Sequence, residues 1–365
     1  MRRSAPRLVG AAAVVVLLAA CGSSGSGSSS ASGSSGSGGG LSETNVTISG
    51  AFTSDMEPAW VAAGAGFFKS NGLNVKIVNS GTGGSTASQI VAQFLGNKDS
   101  FIFGAANTIM SVAQSGVPLK AVYGVRLGGP FQITVSNPVA SSLHIPSGTT
   151  AADTEKQLTA LKGSHLKIAI SGLTSPVGGY LGAILKQRGL TYGPGPDTDV
   201  QLIPAGSSSA TRAAVQSGKT GALIGNPPNS LLPDSTTINL GLVQPLADTA
   251  TIYAAAQTSF VQQHKDTVAA AVRAMTQAWT WAKANPDKAE AIVTAQYKAL
   301  GTTDATTLHT LFRSLQDYWA EPSMGEDAYN HAKDVQNLIT PNSLKINYAD
   351  VVDSSFVTDA LKAAN

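Results

Sequence analysis

The chain has 365 residues, 42% of them hydrophobic and 13% charged, with a formal net charge of +2, so it can bury a full core and has the length of about two domain-sized units. Its 24 Lys and Arg are scattered along the sequence, which argues against the clustered basic face that a nucleic-acid partner requires. A single cysteine, Cys21, rules out an intrachain disulfide and a cysteine-based metal cluster.

Arg2, Arg3 and Arg7 lead into an apolar run from Leu8 to Leu18, and Leu18-Ala19-Ala20 brings small residues up to Cys21, so residues 1–20 read as a secretory signal peptide. The apolar run is too short for an ordinary transmembrane span. Leu18-Ala19-Ala20-Cys21 also resembles a bacterial lipobox, which implies cleavage before Cys21, acylation of its thiol, and attachment to the outer face of the cell membrane. Residues 22–40 are all Gly or Ser except Ala31. Such a segment has no side chains to pack and behaves as a flexible tether spanning roughly 25 Å. Residues 21–44 are therefore an acylated cysteine with its linker, and folded structure is expected from Asn45.

β-rich runs then alternate with helical patterns, as in βα units on mostly parallel sheets. Strands are predicted at 45–52, 74–79, 100–103 and 120–125. A helix over 57–70 carries Trp60, Gly64, Phe67 and Phe68 on one stripe and ends at Gly72, and one over 85–95 turns Ile90, Val91, Phe94 and Leu95 inward. Asn107 suits the N-cap of a short helix that Gly116 closes. A second series has strands at 132–136, 166–170, 200–204 and 220–224, with helices near 154–161, 177–187 and 209–217. Residues 138–152 read as a loop, and 252–256 as a returning strand. Helical stripes follow: Val261, Val268, Val272, Met275, Trp279 and Ala282; after the Asn285-Pro286 break, Leu308, Leu311, Phe312, Leu315, Tyr318 and Trp319; then Val335, Leu338 and Ile339. The expected class is α/β with two sheets, a helical cap on the first lobe, and tryptophans in the core.

Signatures of common hydrolases and NTPases are missing: there is no HExxH, GxSxG or GxxxxGK[ST]. The histidines at 144, 165, 264, 309 and 331 are far apart and read as structural, and no carboxylate pair stands out as acid and base. Neither catalytic residues, nor a metal, nor a cofactor is expected. What recurs is a loop of small polar residues between a strand's carboxyl end and a helix: Ser80 to Ser85, Gly104 to Thr108, Ser171 to Ser175 and Gly206 to Ser209. In open α/β sheets ligands bind beyond these strand ends, where helix N-termini and hydroxyls supply donors for a small polar or anionic molecule.

Gly66-Phe67-Phe68-Lys69, Asn71-Gly72-Leu73-Asn74-Val75, Gly81 to Ser85, Leu95-Gly96 with Asp99, and Ser115-Gly116-Val117-Pro118-Leu119-Lys120 follow one another in an order that resembles the nitrate/sulfonate/taurine-type solute-binding proteins of ABC importers, a group that includes thiamine-precursor binders. Leu161-Lys162-Gly163, Ala213 to Gly218, and Ala278-Trp279 to Asn285-Pro286 continue the resemblance over about residues 45–300. It implies a two-lobed, periplasmic-binding-protein-like type II fold: lobe I from 45–127 plus 250–365, lobe II from 128–249, with crossings near 126–130 and 245–251. It further implies a monomer that closes on a sulfonate-, nitrate- or pyrimidine-like solute and delivers it to a membrane permease and, through that, an ATPase. Carried over residue by residue, the ligand contacts are Thr53, Ser54, Gly83, Gly84, Ser85, Ala106, Asn107, Thr108, Ser171, Thr174, Ser175 and Asn226, with Phe52, Trp60 or Tyr123 available to stack on a ring. Lys219-Thr220-Gly221 and Gly225-Asn226-Pro227-Pro228 depart from the family's pattern. The only charges near the expected cleft are Asp55, Glu57 and Arg126; Arg126 suits either an anionic ligand or a hinge salt bridge. Two other functions fit the same chain: a surface lipoprotein that senses a solute or serves the envelope, and an enzyme on the thiamine-pyrimidine-synthase pattern, which the position of the sole cysteine disfavours.

Overall fold

The structure is a computed structural model that describes residues 40–81, 92, 94–96, 99–173, 176–227, 229–299, 309, 312, 321–322, 324–339 and 343–364. Cys21 and its tether, Gly83, Gly84, Ser85, Thr174 and Ser175 lie outside the described residues, as do most of the expected helix over 85–95 and of the 308–319 stripe. Residues Leu41–Asn365 form one compact unit.

Two sheets organise this unit. The first has strand order β2-β1-β3-β11-β4, made of β1 (Asn45–Ala51), β2 (Asn74–Gly81), β3 (Phe101–Ala105), β4 (Leu119–Leu127) and β11 (Ala250–Gln257). β1 runs parallel to β2 and β3, whereas β11 is antiparallel to both β3 and β4. A strand central to a covered sheet must be apolar on both faces; accordingly β11 is buried from Ala250 to Ala256. The second sheet has order β10-β5-β9-β6-β8-β7, from β5 (Gln132–Ser136), β6 (Leu166–Ile170), β7 (Tyr192–Gly193), β8 (Val200–Pro204), β9 (Ala222–Gly225) and β10 (Ser235–Asn239). The short β7 and the edge strand β10 are additions to the expected set.

Each sheet has its own core. Ile48, Trp60, Phe101, Ile102 and Tyr253 anchor the first, joined by Val268, Val272 and Met275 from the long helix Lys265–Ala284. Ile133, Ile168, Leu181, Ile184 and Leu202 anchor the second. At roughly 1.5–3 kcal/mol per fully buried large apolar side chain, these cores dominate the driving force for folding. The chain leaves the first sheet after Leu127 and rejoins it at Ala250. Gly128 and Gly129, with φ of 67° and 148°, make the first crossing; such backbone is open to glycine and strained for other residues.

Several elements differ from the sequence reading. The helix expected over 57–70 is two helices, α1 (Glu57–Gly64) and α2 (Phe67–Ser70), because Gly66 adopts φ 81° between them. Residues 138–152 are not all loop: Asn137–Ser142 forms a helix with Pro138 in its first turn, where a missing N–H loses nothing. A second helix, Ala151–Thr159, begins at Thr150, whose side chain and that of Asp153 complete a reciprocal capping box. Asn107 is not a cap. β3 runs directly into the helix Ala106–Gln114 with Ala105 at the N-cap, and Asn107 lies inside the first turn. In the late helix Glu326–Ile339, Tyr329, Ala332 and Val335 are the buried face, while Leu338 is 41% exposed.

Candidate functional site

Strand directions bring the relevant loop ends together. The carboxyl ends of β1 and β3, the end of β4 and the start of β11 share one edge, since Ile252 pairs with Ala105 and Ala250 with Leu127. In the second sheet, the start of β5 lies at the carboxyl ends of β6 and β9, with Gln132 opposite Gly225. The crossing at 128–131 joins these two edges, which is where an open α/β sheet binds ligands.

Thr53, Ser54 and Asp55 follow β1. The Thr53 hydroxyl donates to Asp55 Oδ2 at 3.0 Å, and Ser54 is fully buried with its carbonyl accepting from Arg126 Nη2. Arg126, near the end of β4, has a side chain only 1% exposed and lies 3.4 Å from Glu57 Oε2 and 3.7 Å from Asp55 Oδ1. Glu57 also accepts a 2.7 Å hydrogen bond from the Tyr297 hydroxyl. Arg126 is therefore a buried salt-bridge residue of the first sheet, and its charge is already matched by carboxylates. Burial pushes the Asp55 carboxyl above the usual carboxylate range, more than the Arg126 charge pulls it down. Burial, reinforced by the Glu57 charge, holds the Tyr297 phenol well above its ordinary value.

Asn107 comes next, buried on the helix after β3; its Nδ2 donates to Gln336 Oε1 at 2.8 Å. Ala106 is buried beside it and Thr108 half-buried. Ser171 and Asn226 end the neighbouring strands β6 and β9 and are half-buried. The structure thus brings Thr53 and Ser54 together with Asp55 and Arg126, sets Asn107 against the C-terminal region, and puts Ser171 and Asn226 on the second sheet's edge. The Gly206–Ser209 loop has a local role: Ser207 caps the helix Ser208–Gln216 by accepting from Ala210 N. Phe52 and Tyr297 both meet Trp60 edge-on, at 5.6 and 5.4 Å between ring centroids, so Trp60 is core; Tyr123 is likewise 1% exposed.

Residues that the sequence reading missed complete the picture. The hydroxyls of Tyr180, Thr251 and Tyr253 are buried and make no hydrogen bond among the described residues, nor do Ser54 Oγ, Asn107 Oδ1, Arg126 Nη1 and Asn226 Oδ1. Buried polar atoms are nearly always paired; atoms of the same kind also occur away from these strand ends, at Asp99, Gln157 and Thr220. Burial, with a smaller push from the Asp55 charge, raises the Tyr180 phenol, and burial, followed by Tyr348, Tyr329 and Tyr180, raises that of Tyr253. The Tyr180 ring packs 5.0 Å from Phe131 in the crossing. The helix Glu326–Ile339 also spans both halves: Val335 joins the second core, the Lys186 ammonium donates to Leu338 O, and Gln336 holds Asn107. Its Tyr329 phenol is pushed up to about 12, chiefly by burial. Among the described residues, no group of three His, Cys, Asp or Glu could hold a metal ion, and no helix is long and apolar enough to cross a membrane.

Solved structures with the same fold include the ligand-binding component of an ABC-type import system from Staphylococcus aureus, solved with zinc bound (TM-score 0.64, 12% identity, 87% of this chain and 99% of that one). The alkanesulfonate-binding protein SsuA from Xanthomonas axonopodis pv. citri, bound to MOPS, is similar over 86% of this chain and 99% of its own (TM-score 0.60, 13% identity). DszB, as a cysteine-to-serine mutant in complex with biphenyl-2-sulfinic acid, covers 88% of this chain and 99% of its own (TM-score 0.57, 15% identity). At these identities the likeness establishes the periplasmic-binding-protein fold, and a fold does not by itself select a ligand or an activity. No curated protein matches the chain in sequence. Residues 39–297, more than two-thirds of the chain, match the NMT1-like family, and the chain belongs to that family.

Proposed function

We propose that this chain is an extracytoplasmic solute-binding protein that takes a small polar organic solute between its two sheets and hands it to the permease and ATPase of an ABC importer. The observation that carries the reading is a set of buried polar atoms without a hydrogen bond among the described residues, at or near the two joined strand edges: Ser54 Oγ, Asn107 Oδ1, Arg126 Nη1, Asn226 Oδ1 and the hydroxyls of Tyr180, Thr251 and Tyr253. A solute seated there would supply the hydrogen bonds that these groups lack, and desolvated partners make such a site selective. In this reading lobe I is 45–127 plus 250–365, lobe II is 128–249, and the lobes close about the crossings at 128–131 and 243–249. Thr53, Ser54, Asn107, Thr108, Ser171 and Asn226 contact the solute with Gly83, Gly84, Ser85, Thr174 and Ser175, and Ala106 packs against it. The protein acts as a binder, not a catalyst, and as a monomer held by lipid on Cys21 at the outer face of the cell membrane. The structural likeness to import-system components supports this assignment.

The test is thermal unfolding of the protein against sulfonates, nitrate, amines, amidines, pyrimidines and aromatic acids. A solute at one hundred times its dissociation constant stabilises the folded state by about 2.7 kcal/mol, a rise of a few degrees. A rise with one chemical class supports the proposal; the absence of any rise in folded, solute-free protein argues against it.

A further inference from the structure

We propose that the helix Glu326–Ile339 is a latch: the first sheet carries it, it grips the second through Val335 and the carbonyl of Leu338, and it thereby holds the two sheets in the arrangement seen here. The inference rests on the solute-binding reading above, in which the two halves move about the crossings, and adds a regulator of that movement outside the crossings themselves.

On the first-sheet side the helix is fastened at several points. Tyr329 and Ala332 are fully buried in the first core, and the Tyr329 hydroxyl donates to Ile346 O at 3.0 Å. Gln336 Oε1 accepts from Asn107 at 2.8 Å. Asn337 Nδ2 donates to Leu344 O at 3.0 Å, and its Oδ1 accepts from Leu344 N at 2.9 Å. That segment is fixed in turn to the helix Ala106–Gln114, where Gln114 Nε2 donates to Ser343 O at 2.7 Å and Gln114 Oε1 accepts from Lys345 N at 2.6 Å.

The second sheet is reached from the last turns of the same helix. Residues three and four apart share a helix face, so the stripe that begins with Tyr329 and Ala332 continues to Val335, yet Val335 is buried in the second core instead of the first. There the helix meets Pro176–Gln187, and Lys186 Nζ donates to Leu338 O at 3.3 Å, a cation on the last carbonyls of a helix. His331 Nδ1 lies 3.3 Å from Asp248 O in the second crossing. Any rotation that carries the helix Pro176–Gln187 away from the first sheet withdraws Val335 from the second core and parts Lys186 from Leu338. Close-packed contacts take discrete arrangements and do not stretch continuously, so this one sets a threshold for movement. Gln336, next to Val335, holds Asn107, an expected solute contact, so latch and site share one turn of helix.

The experiment is a pulsed electron spin resonance distance measurement between spin labels at Lys69→Cys and Lys219→Cys. Both positions are exposed, the first on the helix Phe67–Ser70 beside the first sheet and the second just before β9. The full chain carries Cys21→Ser, is purified in mild detergent, and receives no solute. Val335→Ala is compared with Val200→Ala, the same truncation at a fully buried second-core position on β8. Each is expected to lower the midpoint of thermal unfolding by about 2–4 °C. Val335→Ala alone is expected to move the mean label separation by more than about 2 Å, the scale of a hinge rearrangement, or to split it into two populations. A smaller change in a single population would overturn the inference and leave solute binding untouched. So would an equal displacement in Val200→Ala, which would make it a general effect of a weakened core. If Val335→Ala does not fold, Val335→Thr and Val200→Thr, which keep the shape of the side chain, make the same comparison.

Discussion

Replacing Arg126 by Met tests whether the Arg126–Glu57 pair is a buried structural element. Methionine keeps most of the aliphatic volume but removes the charge, leaving Glu57 fully buried without its guanidinium at 3.4 Å and Asp55 without its neighbour at 3.7 Å. Removing one partner of a buried pair costs about 3–5 kcal/mol, because the remaining charge stays desolvated. For a unit of about 325 residues, unfolding entropy of about 2.1 cal/mol/K per residue gives about 0.7 kcal/mol/K, so the midpoint is expected to fall by about 4–7 °C. The assay is calorimetric or circular-dichroism melting of wild type and variant at pH 5 and pH 8. In the variant the Asp55 carboxyl, already raised by burial, loses the one charge that lowers it, so its share of stability is retained at low pH and lost as pH rises through its raised value; the deficit should be larger at pH 8. Adding Glu57→Gln should recover part of the loss. A fall of less than about 1 °C at both pH values would refute the reasoning and imply that water reaches the pair.

The first crossing offers a backbone test: Gly128→Ala must accept φ 67° and place its Cβ 3.1 Å from Gly241 O and 3.2 Å from Ala247 O, so a loss of about 2 kcal/mol in urea denaturation is expected. Asp199 accepts from the backbone N–H groups of Thr191 and Gly163 at 2.7 Å and from the Thr191 hydroxyl at 2.8 Å, which hold its carboxyl below the usual range. Its contribution is complete above an ordinary carboxylate value of about 4 and is lost as pH falls; Asp199→Asn should lower stability at pH 7 and flatten the acid limb of a stability-against-pH curve.

Much of the architecture was legible because the strands carry unambiguous patterns. The run Leu-Lys-Ile-Ala-Ile at 166–170 and the apolar Ile-Tyr-Ala-Ala-Ala at 252–256 read as strands from the residues alone, and they are, the second extended to Ala250–Gln257. Local chemistry misled where one residue type serves two ends. Asn107 has the side chain of a cap, yet β3 enters its helix without a loop, which frees the amide to meet Gln336, 229 residues away. Pro138 signalled a loop but opens a helix. In the candidate site, the small polar residues after the strands were readable from position. Asp55, Glu57 and Arg126 were readable as neighbouring charges, but the Tyr297 hydroxyl that binds Glu57 was not, since the two lie 240 residues apart. Tyr180 and Tyr253 appeared only as apolar members of a helix and a strand; that their hydroxyls are buried without partners depends on how the two sheets are brought together.

The central claim is that a solute is held between the two sheets, and hydrogen exchange read by mass spectrometry tests it most directly. With the solute selected by thermal shift, the account expects slowed exchange on both halves at once: in 53–55, 106–108 and 251–253 on the first sheet, and in the turn around Tyr180 and at 225–227 on the second, with the crossing at 128–131 also protected. Protection confined to one sheet, or lying away from the strand ends, would contradict it.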